Sequence, residues 1–476
     1  MEKKPIYPGK ITDENIRAIF AGAGDFCVRK LRCGEFTLYA YAIDGLTSGS
    51  AASDYIIKPI SQQLTGRSME ELYDRAMEGV VYNSVARACK DLDHVASLLV
   101  NGFCVVLFLE VGAIAFEVKT GEKRSISGPE LEHTVKGPKD AFVETVRSNT
   151  SLIRRHLRTP ALRLYETVVG RQSLTNVTVV WIEGITDPEL VQRMKNRIAS
   201  IDIDGFLSPA SVEEYITGSR KTPFPLLQYT ERTDGFCQGL LNGRVGLLVD
   251  GLPLGYLAPV DIGYMMNSPE DLGRDYISAS WVRVLRYMAL AIGLLLPALY
   301  IALTVFHRQL LPEGLLQVVD EGRGSMPWSV VWEVLGLLAA FELLQESGVH
   351  LPQSIGQSVS IIGGIVVGTA AVEAGLIAPL TLITVSITGI CGFVIPNRDF
   401  AGAVRVSRFA LAILASVAGL FGAAAGVLIL TIHLCRLKSL GVPYVILFAP
   451  KLWRQRMVKE KFRDPHMSPR NKRKQK

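Results

Sequence analysis

Three groups of residues carry side chains that could do chemistry. Glu373 lies between Ala-Ala-Val and Ala-Gly, at the joint of two apolar stretches. A carboxylate there is either an intramembrane acid, costly unless it holds a cation or a gate partner, or a solvated side chain in a tight loop at a lipid surface. Just upstream, Gln357, Ser358 and Ser360 open a run that continues in Gly and small aliphatic residues. Such a helix suits a pore liner, with side-chain oxygens near the mouth and an apolar constriction deeper. It suits a tightly packed internal helix equally well. The third group is Glu231-Arg232 in PFPLLQYTERTD (223–234), read here as a structural ion pair at a subdomain joint.

Other chemistries lack their residues. There is no GxxxxGK[ST], HExxH or GxSxG, and Gly22-Ala-Gly24 lacks the third Gly and the preceding strand of a dinucleotide fold. The seven His are scattered, and Asp202 and Asp204 in IDIDG read as a strand end and turn. Seven Cys (27, 33, 89, 104, 237, 391, 435) form no CxxC pair and read as reduced thiols. The expectation is a protein that is not an enzyme, with no catalytic residues, metal or cofactor.

The elements that position these groups follow from composition. Of 476 residues, 49% are hydrophobic and 20% charged, with 43 Gly and a mean hydropathy of +0.26. Soluble chains carry about 25% charge, so the numbers point to a membrane protein. Residues 1–275 hold 31 Lys+Arg against 35 Asp+Glu, residues 276–450 hold 9 against 8, and residues 451–476 hold 11 against 2. The positive excess therefore sits in a short tail suited to anionic lipid headgroups, and a nucleic-acid partner is not expected. The N-terminus shows no apolar signal region, so a cytoplasmic head is expected.

Residues 1–275 read as an α/β head, with candidate strands at Phe36–Ile43, Phe103–Glu110, Val177–Glu183 and Val245–Asp250 and helical spacing at 139–157 and 188–200. Its halves look alike. Tyr41-Ala42-Ile43-Asp44-Gly45 parallels Trp181-Ile182-Glu183-Gly184, and Leu99-Val100-Asn101-Gly102 parallels Leu240-Leu241-Asn242-Gly243, at offsets of 139 and 141 residues. The expected organisation is an N-terminal extension (1–30), two similar α/β subdomains (31–135 and 136–275), an all-α polytopic membrane domain (276–450) and a basic cytoplasmic tail (451–476). Spans are expected at about 286–306, 355–372, 376–396 and 409–434, the lengths needed for a ~30 Å hydrocarbon core. Gly364–Gly368 and Gly422–Gly426 fit small-xxx-small packing. Residues 328–346 are ambiguous, because Glu333 and Glu342 fall on opposite faces of a helix. Four spans put head and tail on one side, but leave Arg398, Arg405 and Arg408 on the other, against the positive-inside tendency.

Several strings together resemble a known family: TVRSNTSLIRRHLRTPALRL (145–164), VVWIEGITDPELV (179–191), PFPLLQYTERTD, NGRVGLLVDGLP (242–253), NSPEDLGRDY (267–276), LPQSIGQSVSIIGGIVVGTAAVEAGLIAP (351–379) and LKSLGVPY (437–444). In order and over about residues 20 to 450, they resemble the A subunit of GerA-type spore germinant receptors. Thr233 departs from the family's usual Pro, and the N-terminal extension is short. The resemblance implies a spore inner-membrane protein that works with a transporter-like B subunit and a lipoprotein C subunit. It also implies self-association into a ring, taken to be a pentamer, that conducts cations. A related branch, the sporulation-stage AF type, implies an accessory channel instead, and a non-conducting scaffold or sensor is the third reading. Under the channel reading, Ser354, Gln357 and Ser358 lie nearer a mouth, and Ile361, Ile365 and Val372 are the candidate constriction.

Overall fold

Residues 13–117 and 146–258 build the same succession of elements. In the first run, helix α1 (Asp13–Ile19) precedes strands β1 (Phe26–Cys33) and β2 (Phe36–Ile43). Short helical pieces over 49–62 and 69–80 follow, then β3 (Ala86–Ala88), helix α2 (Leu92–Val100), β4 (Phe103–Phe108) and β5 (Gly112–Glu117). The second run holds α3 (Val146–His156), β6 (Leu162–Val169), β7 (Thr175–Ile182), α4 (Pro188–Ala199), a helix at Pro209–Thr217, β8 (Gln228–Thr230), α5 (Thr233–Leu241), β9 (Val245–Val249) and β10 (Gly255–Ala258). The structure, a computed structural model, describes all residues except 1–4, 84, 120–128, 130–131, 133–136, 207, 219–221, 325, 351–369 and 446–476.

Each run closes into a five-stranded antiparallel sheet, of order β1-β2-β4-β5-β3 in the first and β6-β7-β9-β10-β8 in the second. The registers match as well. Tyr41 pairs with Val105 and Val180 with Gly246, so the offsets of 139 and 141 residues read from the sequence hold at the level of strand pairing. A slip of one residue would turn every side chain of a strand to the wrong face, so this agreement marks a duplicated subdomain.

Local physics explains the joints. Asp91 caps α2 by accepting from His94 N at 2.7 Å, and Asp187 caps α4 with Pro188 in its first turn. Between α2 and β4, Gly102 has φ +83°, and a Cβ on it would lie 2.9 Å from the Leu46 carbonyl oxygen. Gly243 takes φ +86° at the matching joint. Both positions need a residue without a side chain. The first sheet is covered on both faces: Phe103, Val105 and Leu107 of β4 join one apolar cluster, and Cys104, Val106 and Phe108 join the other. That two-sided burial is why β4 reads as an unbroken apolar run rather than an alternating one.

The chain divides into two compact units, one of residues 1–218 with 227–259 and one of residues 219–226 with 260–476. The second unit is helical: α6 (Tyr276–Ile301, continued by a π turn to Phe306), α7 (Val330–His350), α8 (Pro379–Phe393) and α9 (Arg398–Arg436). Asp275 caps α6 by accepting from Ser278 N at 2.9 Å. The expected span at 355–372 falls outside the described residues up to 369.

The stretch 409–434, expected as one crossing, is instead folded in two. Within α9, Ala418 (φ −130°, ψ 15°) and Gly419 (φ 61°, ψ −138°) leave helical geometry. A Cβ on Gly422 would lie 2.0 Å from the Leu414 carbonyl oxygen, and one on Gly426 would lie 2.5 Å from Leu411 Cδ2. In a continuous helix, residues 411 and 426 would be about 22 Å apart. The limbs 398–417 and 420–436 therefore run antiparallel, side by side. Gly419 takes a backbone region that side chains rarely adopt, and Gly422 and Gly426 let the limbs touch.

The packing assigns the ends of this bundle. Tyr287, Leu290 and Leu294 of α6 meet Phe400, Ala403, Val404, Leu430 and Leu434. Further along, Ala298 and Ala302 meet Leu411, Ala415, Leu420 and Ala423, and a Cβ on Gly419 would strike Phe306 and His307. Thus α6 and the first limb are parallel. The start of α6, Arg398 and Arg436 share one end, and the α9 turn lies at the other. Val260 N and Leu226 O both bond Ser439 Oγ, at 2.9 and 2.6 Å, at the first end. Helix α7 starts beside Ile301 and finishes with Gln345 on Arg405, so it runs antiparallel to α6.

Candidate functional site

The helical unit places charge between apolar helices. At the end near the α9 turn, Glu333 of α7 is 4% exposed. Its Oε2 accepts from Thr381 Oγ1 at 2.9 Å and from Ala378 N at 3.3 Å, and Tyr300 Oη is 3.0 Å from the same threonine hydroxyl. Arg323 Nη2 lies 3.8 Å from Glu333 Oε1. Neither Glu333 Oε1 nor Arg323 Nη1 has a hydrogen-bond partner among the described residues. A cavity of about 240 Å³ lies here, lined by Tyr300, Val319, Glu321, Arg323, Ala378 and Pro379 among others.

The opposite end is basic. Asp271, 0% exposed, takes both Nη atoms of Arg286, at 2.7 and 3.0 Å, and Arg283 Nε at 3.2 Å. Arg405 donates to Gln345 Oε1 and lies 3.4 Å from Glu342 Oε1. Arg408 is 2% exposed and reaches the Thr388 carbonyl oxygen at 3.4 Å. Glu333 and Glu342 thus escape the conflict seen in the sequence of α7: Glu333 is enclosed by protein, and Glu342 turns to an arginine. The sequence reading treated Arg405 and Arg408 as loop charges. Their spacing of three on a helix was the available sign that they share a face.

Of the expected site residues, Ser354, Gln357, Ser358, Ile361 and Ile365 lie outside the described residues. Val372 is half-buried and Glu373 exposed, in the last turn before Gly375, whose φ of 64° closes the helix through Gly375 N to Val372 O at 3.0 Å. No described group bonds the Glu373 carboxylate.

Glu231 and Arg232 sit in the second subdomain, beside β8. Arg232 is 2% exposed and forks onto Asp234, Nε to Oδ1 at 3.0 Å and Nη2 to Oδ2 at 2.7 Å. Glu231 Oε1 accepts from Glu132 N at 2.6 Å, and Thr230 Oγ1 donates to Glu132 Oε2. Burial holds the Glu132 carboxyl above its ordinary range, against the pull of the Thr230 hydrogen bond and Arg232. Nearby, His156 and Asp140 approach to 2.6 Å. Their hydrogen bond raises the imidazole and lowers the carboxyl. Burial pushes the Cys104 thiol up to about 12 and raises Cys237 too, so these are inert thiols. The Arg232 fork fixes the turn into α5 and leaves no open chemistry around it.

Comparison with known proteins gives a consistent picture. The family described as Bacillus/Clostridium GerA spore germination protein matches residues 14–475. The chain is similar to the uncharacterized membrane protein YfkQ of Bacillus subtilis (strain 168), 35% identical over 456 residues that cover 94% of this chain and 88% of the relative. It is similar to spore germination protein KA of the same organism, 33% identical over 433 residues, 90% of this chain and 79% of the relative. Among solved structures, the N-terminal domain of the A subunit of the Bacillus megaterium spore germinant receptor GerK3 aligns at 25% identity. That alignment has a TM-score of 0.39 and covers 51% of this chain and 91% of that one.

Proposed function

The chain belongs to the GerA family of Bacillus/Clostridium spore germination proteins, and from that premise we propose that it is the A subunit of a nutrient germinant receptor acting as an oligomeric, ligand-gated cation channel. Family membership carries the role in spore germination; the channel is the further step. What supports it is the enclosure of Glu333 and Arg408, 4% and 2% exposed, between helices that are otherwise apolar. An anchor needs no buried charge, whereas ion pathways and gates use it.

The bundle also supports a topology. Helices α6, α7 and α8 and the two limbs of α9 make five traverses. The chain leaves α7 at the Gln345 end and re-enters at Ala378, beside Glu333, which calls for a sixth. An even count returns the tail to the side where α6 begins. It also gathers Arg283, Arg286, Arg398, Arg405, Arg408 and Arg436 toward that one end, as the positive-inside tendency requires. Trp281 at that end is 63% exposed, and Trp328 and Trp332 at the other are 57% and 67% exposed, suited to two aromatic belts at the membrane surfaces. Glu373 then lies in a surface turn on the far side, and Ser354, Gln357, Ser358, Ile361, Ile365 and Val372 remain the candidate pore-lining residues. A transporter-like B subunit and a lipoprotein C subunit are the partners this reading names, with anionic lipid under the basic tail.

Cation release from spores lacking this gene, against a complemented strain and over a panel of amino acids and sugars, tests the reading. Loss of early potassium release for one nutrient class establishes a receptor subunit. Slower release for every nutrient points to the accessory-channel branch, and unchanged release to a scaffold.

A further inference from the structure

Arg408 is out of water and half unanswered. It lies on the first limb of α9, 2% exposed, with Nη1 reaching Thr388 O at 3.4 Å. Its other edge, Nε and Nη2, has no partner among the described residues. That edge is the planar fork that matches both oxygens of a carboxylate. A guanidinium left this way inside a bundle is costly unless a second arrangement uses it.

The matching acid is close by and also incompletely bound. Glu342 of α7 touches Arg405 Nε through Oε1 at 3.4 Å, without the alignment of a hydrogen bond, and its Oε2 is buried with no partner. Glu342 and Arg405 both lie within electrostatic reach of Arg408. Arg405 and Arg408 are three residues apart on one helix face, about 4.5 Å along the axis. A slide of α7 by less than one turn therefore carries the carboxylate from the outer arginine to the inner one, the scale on which packed helices ratchet between discrete states.

We propose that Glu342 is a shuttling carboxylate, held by Arg405 in this structure and taken by the Nε/Nη2 edge of Arg408 in a second packing of α7 against α9. The shuttle names a regulator of the channel and rests on the channel reading only for its physiological readout.

Thermal unfolding of the purified full chain in mild detergent tests the shuttle without reference to conduction. Arg408→Gln removes the unanswered charge and raises the midpoint by a few degrees. Arg405→Gln leaves the midpoint nearly unchanged, because Glu342 moves onto Arg408. The double variant leaves Glu342, whose side chain is 38% exposed, with neither arginine and loses more than the two single effects summed. Arg408→Lys keeps the charge without the fork, so combined with Arg405→Gln it also fails to rescue; it stands in should Arg408→Gln not fold. Single effects that add, or an Arg408→Gln midpoint below that of the parent, overturn the shuttle. In spores, Arg405→Gln releases cations without nutrient and Arg408→Gln delays nutrient-triggered release at least tenfold. Melting coupled as described with cation release unchanged in every variant leaves the shuttle standing as a structural device and overturns its role in gating.

Discussion

Arg154 places Nε and Nη2 on the two carboxylate oxygens of Asp25, at 2.8 and 2.7 Å, across 129 residues of sequence, and both side chains are 1% exposed. The pair ties α3 of the second copy to the turn before β1 of the first. Removing one partner from such a pair strands the other, at about 3–5 kcal/mol. Asp25→Asn and Arg154→Met should therefore each lower stability by about that amount. The Asp25→Leu/Arg154→Met double variant should lose less than either single change. Denaturant unfolding of the full chain checks the order. Single variants as stable as the parent would mean that the two subdomains hold together without this pair.

The His156–Asp140 contact makes stability depend on pH. The folded imidazole titrates above its ordinary value near 6.5 and the carboxyl below its ordinary value near 3.9. The histidine's contribution is complete below about pH 6.5 and is lost as pH rises through its raised folded value. The aspartate's contribution is complete above about pH 4 and is lost as pH falls through its lowered one. The pair therefore stabilises most between about pH 4 and 6.5. Unfolding midpoints should fall from pH 6 to pH 8.5 in the parent and change less in His156→Gln.

Glycines of the helical unit should divide sharply. At Gly419, φ 61° and ψ −138° exclude side chains, and a Cβ would lie 2.9 Å from Phe306 and His307. Gly419→Ala should cost about 2–3 kcal/mol. Gly336, in α7, has open space around its Cβ position, and Gly336→Ala should stabilise by up to about 1 kcal/mol. Thermal midpoints in detergent compare the two directly, and equal shifts would argue against the turn in α9.

The same turn predicts which residues face out. In cells treated with a membrane-impermeant thiol reagent, Gln309→Cys should be labelled and Lys438→Cys protected, both in a background whose native cysteines are replaced. If 409–434 crossed once while α6, α7, α8 and one further span also crossed, residue 438 would lie on the labelled side.

The duplication was legible because it was written twice, in two Asn-Gly joints that each need a residue tolerant of φ > 0. Strands β2, β4, β7 and β9 were visible through their apolar runs. Their hairpin partners were not. Strand β1 carries Arg29, Lys30 and Arg32 exposed along a sheet edge, where charge blocks further pairing and also hides the strand from a hydropathy reading. Asp202 and Asp204 end no strand; Asp202 pairs with Arg171 in an irregular segment. In PFPLLQYTERTD the adjacent Glu231 and Arg232 suggested an ion pair, but the fork goes to Asp234, two residues on. Arg232 is the N-cap position of α5 and Asp234 lies in its first turn, which brings that carboxylate within reach of the guanidinium. The α9 turn left no mark at all in hydropathy, because Ala418 and Gly419 are as apolar as their neighbours. Only a backbone torsion distinguishes one long helix from two. Under the proposed topology of six traverses, that torsion reconciles a basic tail with a basic 398–408 segment, which no choice among four or five straight spans does.

Phe224 gives the fold a timetable. It is 4% exposed, with its ring 5.9 Å from that of Phe400, yet it leaves the ribosome 176 residues earlier. At about 5–20 residues per second, Phe224 and Leu226 wait roughly 10–35 s for the helix that covers them. During that interval Val260, Met265 and Met266 are the buried members of its cluster already made, and the first limb of α9 completes the cover.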